Sequence, residues 1–116
     1  MLEERYLRER DVLEALMRAR EALWHGQEML WVARMAVCCG HEASVEPWAA
    51  TIESALQHAG LYLHQARELY APIAGETLLR VGRYRADEVF VEVEREIEKA
   101  KRHFAYARER GQHVCE

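Results

Sequence analysis

Apolar residues recur along the chain at alternating spacings of four and three, the signature of helices that bury one stripe. In the first third, Val12, Leu16, Ala19, Leu23, Gly26, Leu30, Ala33, Val37 and Gly40 form an unbroken seam of this kind. One long helix is the simplest reading. Large residues hold one row of the seam and small residues the other, so a neighbouring backbone can approach along the small row. Gly26 costs about 1 kcal/mol against Ala inside a helix. Because it falls in register with the small row, it predicts a packing contact rather than a break. Gly40 suits the helix end.

A second block opens between Ser44 and Pro47, where Ser can cap and Pro is tolerated in a first turn. Trp48, Ile52, Ala55, Ala59, Tyr62, Ala66, Leu69 and Ile73 then repeat the alternation, flanked by Ala49, Leu56, Leu63 and Tyr70. Pro72 and Gly75 end this helix, and Glu76 to Gly82 reads as one short connecting turn. The third block starts near Asp87 and runs Phe90, Val93, Ile97, Ala100, Phe104 and Ala107 until Gly111. Its acids, Glu88 to Glu98, come early and its bases, Lys99 to Arg110, come late, as the helix dipole favours.

These blocks predict one all-α domain over residues 1–116, an antiparallel up-down-up bundle of three long helices with a short connector turn. A break near Gly26 would instead make a four-helix bundle. The first helix spans about 55–60 Å and the others under about 40 Å at 1.5 Å per residue. Its first ten or so residues therefore either project or pair with another chain.

Half of the residues are apolar and 31% are charged, with six Gly and two Pro, which excludes a disordered or collagen-like chain. A net charge of -4 lacks the footprint of a general nucleic-acid binder. The longest apolar stretch, Met29 to Cys39, carries Arg34 and is too short to span a membrane. The charged N-terminus does not read as a secretory signal, so the expected setting is the cytoplasm. There the three cysteines are expected mostly as thiols.

Enzyme signatures are weak. Arg–x4–6–His pairs of the sort found in helical ribonucleases occur at Arg20/His25, Arg18/His25, Arg34/His41 and Arg108/His113, but with this Arg and His content about two arise by chance, so the motif carries little weight. Glu21, His25 and Glu28 share one helix in the order opposite to that of a di-iron bundle and lie on its wet side. His58, His64 and His103 read as surface histidines. Arg80, Arg83 and Arg85 read as a hydrophilic loop, with a phosphate or acidic partner as the alternative. Trp24 and Trp31, seven apart, follow core spacing and are core or interface anchors.

The polar face of the first helix fails at its end. Asp11, Arg18 and His25 lie on one row and Glu14, Glu21 and Glu28 on another, but the next turns place Val32, Cys39 and Met35 there. A bundle helix keeps one outward face, so Trp31, Val32, Met35 and Cys39 are expected to form an apolar interface, unless the connector Ile73 to Val81 folds over it. The expected function is that of a small non-enzymatic regulatory or adaptor protein. It binds a protein partner, as an inhibitor, antiactivator or chaperone does, and pairs as a homodimer through coiled-coil-like helix contacts. The alternative is a metal- or redox-responsive bundle. An up-down-up path brings Cys38, Cys39 and His41 near His113 and Cys115, and thiolates and imidazoles are ligands that zinc prefers. The spacing is not that of a zinc knuckle, and a disulfide from Cys38 or Cys39 to Cys115 needs the same proximity.

Overall fold

The computed structural model describes residues 2–75 and 79–115. Three helices carry the fold: α1 (Leu2–Cys38), α2 (Glu46–Tyr70) and α3 (Ala86–Arg110). Single 3-10 turns, Ala71–Ile73 and Gly111–His113, follow α2 and α3. The all-α class holds, with one local departure in the connector. There β1 (Arg80–Val81) pairs antiparallel with β2 (Tyr84–Arg85), setting Arg80 opposite Arg85 and Val81 opposite Tyr84. Gly82 makes this turn with φ 64°, a backbone conformation that L side chains rarely adopt. Of the helical turn expected over Glu76 to Gly82, residues 76–78 lie outside the described residues, and the remainder belongs to this hairpin.

α1 runs unbroken through Gly26, which overturns the four-helix alternative. The reason is the predicted contact. A Cβ built on Gly26 would come within 2.9 Å of Leu56 Cδ2 and 3.3 Å of the Ala55 Cβ. Around it the small residues Ala15, Ala19 and Ala33 of α1 are buried, as are Ala49, Ala55, Ala59 and Ala66 of α2. Small side chains let the two backbones approach, so α1 and α2 form the tightest pair. The α2 seam is turned slightly from the sequence reading: Ala49, Leu56, Leu63 and Tyr70 are buried, while Trp48, Tyr62 and Leu69 are only partly so.

α3 supplies the large residues. Phe90, Val93, Ile97 and Phe104 are buried, and the Phe90 ring meets Tyr70 of α2 edge to face at 5.4 Å. Its first turn is capped by the Glu88 carboxylate, which accepts the Arg85 N–H at 3.3 Å. α2 begins at Glu46, whose N–H is accepted by Ser44 Oγ at 3.2 Å. The reversal after α1 is closed by the His41 N–H donating to the Ala36 carbonyl at 2.9 Å, across Gly40 at φ 78°.

The molecule measures 58 × 19 × 19 Å, and its long axis matches the roughly 55 Å expected of a 37-residue helix. Residues 3–11 of α1 include no buried side chain, and the first is Val12. The first turns of α1 thus lie beyond the buried core of the chain.

Candidate functional site

Trp24 and Trp31 are not core residues. They are 66% and 64% exposed, and Met17, one heptad earlier, is 59% exposed. Seven residues make nearly two full turns, so the three side chains stand in one row along α1. Met35, one turn beyond Trp31, widens the exposed apolar surface on the Glu28 side at 38% exposure, and toward the N-terminus the row ends at Arg10, seven residues before Met17. Gly26 is two residues from Trp24, about 200° around the helix at 100° per residue. The row therefore points away from α2. α1 carries two apolar stripes, one buried against its neighbours and one facing outward.

Of the expected interface, Trp31, Met35 and Cys39 are exposed, whereas Val32 is half-buried. The described residues of the connector do not cover this surface. It joins the end of α2 to the start of α3, and α2 leaves the end of α1 through the short 39–45 reversal, so the connector lies a helix length away from Met35. Ile73 is buried, and Leu79 and Val81 pack against the core there. The exposed surface also extends further toward the N-terminus than the Met29 to Cys39 segment, because Trp24 and Met17 belong to it.

One edge of the row borders α3. Trp31 and Arg34 line an open groove with Lys99 and His103, and a second groove further along α1 is bordered by Arg20, Tyr84, Glu88 and Glu92. Tyr84 and Tyr106 are themselves exposed. Charges flank the row on both sides. The residues three and four away from Met17, Trp24 and Trp31 are Arg20, Gln27 and Arg34 toward α3, and Glu14, Glu21 and Glu28 on the far side.

The cysteine cluster takes a definite form. Cys38, in the last turn of α1, and Cys115, beyond the end of α3, are joined by a disulfide with Cα atoms 5.6 Å apart. This corrects the expectation of thiols for these two residues. The physical cause is topology together with an anchor: α3 finishes beside the end of α1, and buried Val114 pins the tail next to Cys115. Cys39 stays a free, exposed thiol, since adjacent helical residues diverge by about 100°. His41 and His113 are exposed at the same end. Two sulfurs bonded to each other offer no thiolate to zinc, and no cluster of three or more His, Cys, Asp or Glu positioned for a metal occurs among the described residues.

Several other charged groups form ion pairs at the surface. Arg108 of α3 reaches α2 with a two-pronged grip on Glu46, at 2.8 and 3.0 Å, and a further bond to Glu53. Arg67 of α2 holds Glu94 of α3 at 2.8 Å. The hydrogen bonds from Arg108 and Arg67 keep Glu46 and Glu94 below the usual carboxylate range, and Glu46 in turn raises the Arg108 guanidinium. These pairs latch α2 to α3. Arg20 and His25 open onto different grooves, the latter shared with His58, so the ribonuclease-like spacing does not bring them together. His64 pairs with Glu68 at 2.9 Å. No helix among the described residues is long and apolar enough to cross a membrane. No family model, curated protein or solved structure matches the chain.

Proposed function

We propose that the protein is a small non-enzymatic regulator or adaptor that acts by binding another protein with the outward stripe of α1. The observation that carries this reading is the pair Trp24 and Trp31, about two-thirds exposed on one helical row. Tryptophan is enriched at the energetic centres of protein interfaces, where a large rigid ring removes much apolar surface at little entropic cost. Together with the exposed parts of Met17 and Met35, the stripe amounts to roughly 500 Å² of largely apolar surface, the size of the largest patches on soluble proteins, which are often functional. Such a surface serves an inhibitor, an antiactivator or a chaperone, each of which must hold an apolar segment of its partner.

The test is the size of the complex formed in the protein's own cells. The wild type is expected to elute well above the mass of the lone chain, and the Trp24→Glu, Trp31→Glu variant to elute as the lone chain with unchanged helical circular dichroism. A wild type eluting alone, or a variant that keeps its complex, overturns the reading.

A second reading is supported by the Cys38–Cys115 proximity. In a cytoplasmic setting, where thiols are held reduced, the pair would open to two thiols and close by passing two electrons to a disulfide oxidant and releasing two protons. The bundle would then respond to redox state at the end where α1 and α3 meet.

A further inference from the structure

We propose that the occupant of the α1 stripe is a second copy of this chain, with the two α1 helices side by side, parallel and in register. The inference rests on the reading of the stripe as a protein-binding face and names the partner. Its basis is the charge written along the stripe. Met17, Trp24 and Trp31 have Glu14, Glu21 and Glu28 on one side and Arg20, Gln27 and Arg34 on the other. When two identical helices pair in parallel about a two-fold axis along the seam, the left flank of one meets the right flank of the other. Each acidic row then faces the row that carries Arg20 and Arg34 across the interface, twice by symmetry. An antiparallel pair would instead set acid against acid and base against base. The stripe is therefore self-complementary in one orientation only.

The geometry of the rest of the chain permits this. α2 occupies the opposite side of α1, as the Gly26 contact with Leu56 shows, so it leaves the seam clear. α3 stands beside the stripe, and its Lys99 and Tyr106 would border the incoming helix and widen the contact. The stripe alone removes roughly 1,000 Å² over two copies, the least that a specific interface requires, before the flanking charges are included.

Cysteine cross-linking with sedimentation tests the proposal on the full chain with Cys39→Ser and the native disulfide retained. Met17→Cys and Met35→Cys, both at exposed positions on the stripe, are oxidised separately and as a mixture. The expected result is a dimer in sedimentation whose two variants each link to themselves, because in-register parallel helices place every stripe residue opposite its own copy. Reversing Glu21 and Glu28 to Arg is expected to weaken that dimer roughly tenfold while the fold is kept. Linkage only between Met17→Cys and Met35→Cys in the mixture would mean an antiparallel pair and overturn the arrangement. A chain that stays monomeric and links to nothing overturns the second copy as occupant. A heteromeric complex isolated from cells would then still support the protein-binding reading, so the two failures are distinguishable.

Discussion

Gly26 of α1 and Leu56 of α2 approach so closely that a single added carbon on the glycine would meet the leucine methyl at 2.9 Å. This contact sets the distance between the two helices and explains why a residue that weakens helices sits in the middle of the longest one. It also fixes which side of α1 is covered and leaves the tryptophan row on the other.

Substitution at this position separates packing from propensity. Gly26→Leu forces a large side chain between the backbones and is expected to lower the unfolding free energy by about 2 kcal/mol, measured by urea denaturation. Gly26→Ala meets the mobile end of Leu56 and the Ala55 Cβ at 3.3 Å, and it recovers about 1 kcal/mol of helix propensity, so it should lie close to the wild type. A stabilised Gly26→Leu protein would mean that α1 and α2 do not pack there.

The Arg108 latch predicts a sign for the pH dependence of stability. Arg108 holds Glu46 ionised below its ordinary range, and Arg67 does the same for Glu94. A carboxyl group whose folded-state pKa is depressed contributes stability that is complete above its unfolded value and is lost as the pH falls through the folded value. Thermal stability should therefore drop as the pH falls below about 4.5. Arg108→Met should shrink the drop, since Glu46 would lose the hydrogen bond that holds it ionised, while the share of Glu94 with Arg67 remains. The pairs are exposed, so the effect is expected to be small. An unchanged acid limb in this variant would show that the grip on Glu46 is not kept in solution.

The Cys38–Cys115 bond closes a loop spanning 77 residues of sequence. On chain entropy such a link is worth up to about 4 kcal/mol, with native strain commonly reducing the figure. Cys115→Ser, or reduction of the wild type, should lower the melting temperature while leaving the helices formed, because the core does not include either cysteine. Thiol titration under denaturing conditions should find one free thiol without reductant and three with it. Three thiols before reduction would contradict the bond.

Much of this architecture is legible in the residues. The seam from Val12 to Val37, the Phe90 to Ala107 face of α3 and the role of Gly26 follow from spacing and side-chain size, because helical periodicity is a local property. The stripe is less so. Trp24 and Trp31 are seven apart, a spacing that a buried row and an exposed row share, and periodicity tells which residues lie on one face but not which face a neighbour covers. The flanking rows of Glu14, Glu21 and Glu28 and of Arg20 and Arg34 carry the missing signal, since charge on both sides of a row marks it as outward. The hairpin at Gly82 rests on strands of two residues, too short to show alternation. The up-down-up path brings Cys38 and Cys39 near Cys115, but which of the two adjacent cysteines faces the tail, and that buried Val114 anchors it there, spacing does not reveal.

The central claim is that the exposed face of α1 holds a protein. Site-specific photo-cross-linking in the protein's own cells tests it most directly, with a photoreactive side chain at position 24 and, as a control, at Gln65, an exposed position of α2. The predicted result is a discrete protein adduct from position 24, to this chain or to another, and none from position 65. Equal labelling at both positions, or no adduct from position 24, would contradict it.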